Sequence, residues 1–157
     1  MSALHLVPAT DAHFAWLLGE IDAPDGLRLP SGGLDEPWVF KWLRRTLPKL
    51  GGYGSWLMVA DGEVVGLCSY KWAPSAAGDV ETGYGIAPQR RRLGYATQGA
   101  ALLIEAARRD GRVRALTAET ALANLASQRV LEANGFVQTG RNLDDDEGEM
   151  IVWRLEL

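Results

Sequence analysis

Residues 80–109 constrain this chain more than any other stretch. Val80 to Ile86 is rich in β-formers and stops at Pro88, which reads as a strand. Gln89 to Leu93 is a basic turn. From Ala96 to Arg109 the period becomes helical, with Ala96, Ala100, Leu103, Ile104 and Ala107 on one face. Arg108 and Arg109 suit the negative end of that helix, and Gly111 stops it. A strand, a basic glycine turn and a helix in this order have a chemical use. The first N–H groups of a helix are unpaired and carry partial positive charge, so the turn is a seat for an anion. Gly94 and the small Ala96 let that anion come close to the backbone, and Arg90, Arg91 and Arg92 add charge beside it. A diphosphate fits such a seat. Taken alone, a Gly-x-Ala turn is also what an ordinary strand-to-helix connection looks like. The spacing matches neither the P-loop pattern nor the dinucleotide Gly-x-Gly-x-x-Gly pattern.

The rest of the chain surrounds that segment with further strands and helices. Leu4 to Val7 is a short strand, and Thr10 or Asp11 can cap a helix that buries Phe14, Leu17 and Leu18. Gly19 to Gly33 is a long loop, which points to a binding loop or lid. Asp35 and Pro37 mark the next helix start, with Trp38, Trp42 and Leu43 at helical spacing. Trp56–Ala60 and Glu63–Trp72 form a hairpin around Asp61-Gly62. Val113–Thr120 is a strand and Asn124 to Asn134 a helix ended by Gly135. Phe136–Arg141 and Met150–Leu157 are a last strand pair, with the acidic run Asp144 to Glu149 as a solvated turn between them. The crossover helix makes the strands at 80–86 and 113–120 parallel, while the hairpins are antiparallel. The expectation is a mixed α/β sheet in one layered domain spanning residues 1–157.

Composition narrows the function classes. The chain is 47% hydrophobic and 23% charged, ordinary for a globular protein. A net charge of −4 argues against an extended nucleic-acid surface. No run approaches the roughly 20 apolar residues of a membrane span, and the N-terminus lacks the pattern of a signal peptide. The single Cys68 allows no internal disulfide, which fits a cytoplasmic location. It reads as a small buried hydrophobe. His5 and His13 read as structural or surface residues. No Cys, His or carboxylate cluster has metal-ligand spacing, so no metal is expected. Six tryptophans point to an aromatic-lined pocket or to core.

Arg91-Arg92-Leu93-Gly94-Tyr95-Ala96 resembles the acyl-CoA pyrophosphate loop of the GNAT superfamily of N-acetyltransferases, Arg/Gln-x-x-Gly-x-Gly/Ala. A second string, Asn124-Leu-Ala-Ser127-Gln-Arg-Val130-Leu131-Glu-Ala-Asn-Gly135-Phe136, resembles the signature of the GNAT subgroup that holds the Rim-type ribosomal-protein N-terminal acetyltransferases. The two strings stand in the family's order, separated by one helix and one strand. The resemblance implies the GNAT fold: a mostly antiparallel sheet of about seven strands, one parallel crossover pair and about four flanking helices. It implies acetyl-CoA as co-substrate, held by Tyr84, Gly85, Ile86, Arg91, Arg92, Leu93, Gly94, Tyr95, Ala96 and Thr97, with Asn124 and Ser127 along the pantetheine arm. It implies an acceptor that is a small-molecule amine or a peptide or protein N-terminus, and a monomer or homodimer. Many relatives carry a Tyr where Leu131 stands, to protonate the departing thiolate. Here Ser127 or a water takes that task.

An amine of pKa about 10.4 is mostly protonated at neutral pH and needs a base. Glu81 shares a strand face with Gly83 and Gly85, which leave room beside its carboxylate. A Glu on this strand is also a common base in the family. Glu119 is the runner-up. The contrasting expectation is a GNAT-fold module that senses acyl-CoA without turnover.

Overall fold

The computed structural model describes residues 3–157. Seven strands form one sheet: β1 (His5–Pro8), β2 (Ser55–Ala60), β3 (Glu63–Tyr70), β4 (Asp79–Ile86), β5 (Ala115–Ala121), β6 (Val137–Asp144) and β7 (Gly148–Glu156). Their order across the sheet is β1-β2-β3-β4-β5-β7-β6. Only β4 and β5 are parallel, and the other neighbouring pairs are antiparallel. Four α-helices cover the sheet: α1 (Asp11–Leu17), α2 (Pro37–Thr46), α3 (Tyr95–Arg109) and α4 (Leu125–Ala133). The expected sheet, crossover pair and helices are therefore all present.

The sheet carries a core on each face. Trp56, Met58 and Ala60 of β2 join a cluster with Leu103, Ile104 and Ala107 of α3 and Leu131 of α4. Leu57 and Val59, one residue out of phase, join Phe14 of α1 and Phe40 and Leu43 of α2. Alternation along a strand sends successive side chains to opposite faces. A strand covered on both faces is apolar throughout, so all six residues of β2 are buried. The β2–β3 hairpin closes through Asp61 and Gly62, both at positive φ, as the Asp-Gly pair requires.

One irregularity positions everything that follows. β4 pairs with β3 from Thr82 to Ile86, yet with β5 only from Asp79 to Glu81. Beyond Glu81 the two parallel strands part. The Thr82 hydroxyl donates to the Thr117 carbonyl at 3.2 Å and closes the root of this gap. Among the described residues, the edge of β4 that faces β5 has no strand partner from there onward. On β4, Tyr84 and Ile86 pack toward the α3 core, which leaves Glu81, Gly83 and Gly85 facing the α2 side.

The Gly19–Gly33 loop departs from its expected role. Arg28 bridges to the β2–β3 hairpin, donating its N–H to Gly62 and accepting from Val64. Gly32 packs beside Gln89. Pinned in this way, the loop is part of the scaffold and lines neither of the two clefts described next.

Candidate active site

The first cleft, of about 790 Å³, lies where β4 and β5 part, between the N-termini of α3 and α4. Gly94 precedes α3 at φ 83°, a left-handed conformation, and gives the helix no side-chain cap. Gln98 is the first residue to bond back, to the Gly94 carbonyl. The N–H groups of Tyr95, Ala96 and Thr97 are thus left for an anion. Arg91 and Arg92 of the turn and Arg129 of α4 line the same cleft. Arg90 lines it too, but its guanidinium is clamped on Glu63 at 2.6 and 3.1 Å, so it anchors the turn to β3. Arg91 donates to the Ile86 carbonyl at 3.2 Å, tying the turn back to β4.

Of the residues expected to hold the co-substrate, Tyr84, Gly85, Ile86, Arg91, Arg92, Gly94, Tyr95, Ala96, Thr97, Asn124 and Ser127 all line this one cleft. Leu93 does not; it stands exposed on the outside of the turn. Asn124 caps α4, accepting from the Ser127 N–H at 3.2 Å, and that cap fixes Ser127 at the cleft wall. The Asn134 side chain donates to the Thr97 carbonyl at 3.3 Å and holds the two helices together. Leu131 is buried in the core. The hydroxyl that reaches Ser127 is that of Tyr84, donating to the Ser127 carbonyl at 3.4 Å. Burial pushes the Tyr84 phenol upward, so it stays protonated. Val130 and Ala133 complete the α4 wall, a contribution the signature residues did not single out.

A second cleft of about 450 Å³ opens on the α2 side of β4. Trp38, Trp42 and Leu43 of α2 face Leu67 of β3, and Trp72 flanks them. Tyr84 and Gly85 line both clefts, so the two meet on β4. Two charged side chains, Asp35 and Lys71, line the second cleft. Asp35 was legible only as a helix-start signal. It does not cap α2, which begins at Pro37 without a side-chain cap. Its Oδ1 accepts from the Glu36 N–H at 2.8 Å. Its Oδ2 lies 3.4 Å from where a Cβ on Gly85 would stand. Cys68 is fully buried, and desolvation raises its thiol far above the ordinary range, so it is not a nucleophile.

Glu81 stands apart from both clefts. Its carboxylate pairs with Lys71 Nζ at 2.7 Å, and the Lys71 stem lies over Gly83. Glu119 is likewise outside them, engaged by the Asn142 amide at 3.0 Å. Among the described residues no group of His, Cys, Asp and Glu has the arrangement of a metal site. No helix among them is long and apolar enough to cross a membrane.

The acetyltransferase (GNAT) domain family matches residues 4–137, most of the chain. This protein belongs to the GNAT acetyltransferase family. A relative in Bacillus subtilis (strain 168), the uncharacterized N-acetyltransferase YjdG, is 34% identical over 88 residues. That match covers 55% of this chain and about half, 52%, of the relative's length. Among solved GNAT structures, RimL, a ribosomal alpha-N-protein acetyltransferase in complex with coenzyme A, aligns at a TM-score of 0.74. It shares 18% identity, over 100% of this chain and 96% of RimL. The aminoglycoside acetyltransferase AAC(6')-Ib, in complex with coenzyme A and kanamycin, aligns at 0.70. It shares 15% identity, over 98% of this chain and 95% of that one. At these identities the likeness is one of fold.

Proposed function

We propose that this protein is an N-acetyltransferase that moves the acetyl group of acetyl-CoA to a primary amine within a ternary complex. The observation that carries the reading is the meeting of two clefts on Tyr84 and Gly85. A sensor of acyl-CoA would need only the first. The first cleft fits a CoA thioester by its own chemistry: an uncapped helix N-terminus, Arg91 and Arg92 for the diphosphate, and an unpaired strand edge for the pantetheine amides. Its relatives RimL and AAC(6')-Ib are described with coenzyme A bound. Acetyl-CoA supplies the acetyl group as a thioester.

The chain's own residues then have three tasks. A backbone N–H near Ile86 stabilises the charge that develops on the carbonyl oxygen. Glu81 is the proposed base. Its carboxylate is held by Lys71, which lines the second cleft, so the proton is relayed to it through water past Lys71. The freed amine nitrogen forms the new C–N bond, the C–S bond breaks, and the sulfur takes a proton from the wall of the first cleft. Ser127 is the proposed donor. The Tyr84 hydroxyl, held beside Ser127, is the second candidate.

Glu81→Gln keeps the shape and removes the basicity. Thiol release from acetyl-CoA with an amine should fall about 10²–10⁴-fold near neutral pH, and the deficit should shrink as pH rises and the amine deprotonates by itself. A variant as fast as wild type across pH removes Glu81 from the role. A wild type that binds acetyl-CoA and acylates none of a broad amine panel removes the enzyme reading in favour of the sensor.

A further inference from the structure

The second cleft also holds a choice of acceptor. We propose that it selects a small amine with a single positive charge on an apolar, aromatic body, the ammonium held by Asp35 and the body by Trp38, Trp42 and Trp72. This rests on the acetyltransferase reading and deepens it.

The charges of the cleft argue for a single ammonium. Lys71 is matched by Glu81 at 2.7 Å, so its charge is already compensated. Asp35 enters no ion pair among the described residues, and its one bond comes from the neighbouring Glu36 N–H. The Asp35 Oδ2 approaches β4 at Gly85, the residue that together with Tyr84 faces both clefts. A side chain at Gly85 would touch that oxygen, and glycine leaves the place open. An amine docked there as its ammonium stands at the junction of the two clefts, and it attacks only after giving up a proton, which leaves along water past Lys71 to Glu81. A second or third ammonium, as on a polyamine, finds no further unpaired carboxylate in the lining.

The walls argue for an apolar body. Trp38 is 68% exposed and Trp72 55%, an arrangement that leaves two large apolar rings in water until something covers them. Trp42, Val39, Leu43 and Leu67 continue the apolar surface inward. Indole faces also attract a cation within about 6 Å. A sugar carries more hydroxyl groups than Asp35 and Lys71 can engage, and those left against the apolar walls would be desolvated at a cost. The Ser69 hydroxyl has no proton to give them, because its single O–H is already engaged by the Tyr70 carbonyl at 2.7 Å and the Gly54 carbonyl at 3.2 Å. A cleft of 450 Å³ lies in the ordinary range for a small ligand. A peptide N-terminus would bring backbone amides that meet the same apolar walls.

The test compares 2-phenylethylamine and tryptamine with methylamine, spermidine, kanamycin and a heptapeptide with a free N-terminal serine. Initial rates of thiol release should give a kcat/KM for the aromatic amines at least 100-fold above those for spermidine, kanamycin and the peptide. Asp35→Asn should raise the KM for 2-phenylethylamine at least tenfold while keeping the melting shift that acetyl-CoA produces. Trp38→Ala and Trp72→Ala should raise KM for 2-phenylethylamine more than for methylamine. Quenching of tryptophan fluorescence by 2-phenylethylamine, with CoA present, reads binding without turnover. Binding without transfer keeps this proposal and defeats the enzyme reading. Faster turnover of spermidine, kanamycin or the peptide defeats this proposal and keeps the enzyme. Unchanged KM in all three variants, or neither binding nor transfer of the aromatic amines, also overturns it.

Discussion

Two hydroxyl-bearing residues of the first cleft, Ser127 and Tyr84, are the proposed proton donors to the departing thiolate. Ser127 owes its place to the cap made by Asn124, and Tyr84 to a strand register that sends it under α4. Burial raises the Tyr84 phenol above its ordinary range, so near neutral pH it carries its proton and is not a base. If Ser127 is the donor, Ser127→Ala should lower kcat about tenfold or more with the KM for acetyl-CoA little changed, and Tyr84→Phe should leave kcat within about twofold. The reverse pattern transfers the role to Tyr84, and two unaffected variants transfer it to water. Steady-state rates at saturating amine separate these cases. Ser127 was visible in the sequence because it belongs to a contiguous signature on one helix. The nearness of Tyr84 was not, because the two stand 43 positions apart and the chain between them carries no sign of the crossover's final geometry.

At the scale of elements, the site depends on β4 being pulled to β3 and released from β5. Gly66 on β3 is the close contact of that pairing: a Cβ there would stand 2.6 Å from the Gly85 carbonyl and 2.8 Å from the Ile86 side chain. A backbone oxygen cannot yield as a flexible side chain does. Gly66→Ala should therefore destabilise the fold by about 1–3 kcal/mol, as overpacking typically does. It should also displace Gly85, so kcat/KM should fall even at temperatures where the variant is fully folded. Denaturant unfolding paired with activity in the folded range checks both parts; full activity in a folded variant would show that the β3–β4 spacing does not set the site. The elements themselves were readable: period-2 and period-3.6 runs, the Asp-Gly hairpin and the Gly94 turn put nearly every strand and helix in place. The acceptor cleft was much less so. Its lining comes from the start of α2, the end of β3 and the middle of β4, and only folding brings Asp35, Lys71 and Gly85 together. The Gly19–Gly33 loop, which reads in the sequence as a binding loop or lid, does not line it, because Arg28 docks that loop on the hairpin instead.

For the whole molecule, the first cleft is built from three parts, the gap in the sheet, the N-terminus of α3 and the cap of α4, tied to one another by Arg91, Tyr84 and Asn134. Acetyl-CoA bound there bridges all three and binds the unfolded chain weakly, so it must stabilise the native state. At 100 times its dissociation constant the gain is about 2.7 kcal/mol. For a domain of this size each kcal/mol moves the melting temperature by roughly 2–4 °C, giving a shift of roughly 5–11 °C. Gly94→Val tests whether the α3 terminus is the anion seat. Gly94 sits at φ 83°, which a β-branched residue rarely adopts, and the nearest atom to a Cβ there is the Gln98 side chain at 3.6 Å. The strain falls on an exposed turn outside both cores, so the variant should fold with a modestly lower melting temperature of its own. Its melting shift with acetyl-CoA should nevertheless collapse, because the turn can no longer present the Tyr95, Ala96 and Thr97 N–H groups together. Thermal melts of wild type and variant with and without the ligand decide the matter. An undiminished shift in the variant would place the diphosphate elsewhere in the cleft, on Arg91, Arg92 and Arg129 alone.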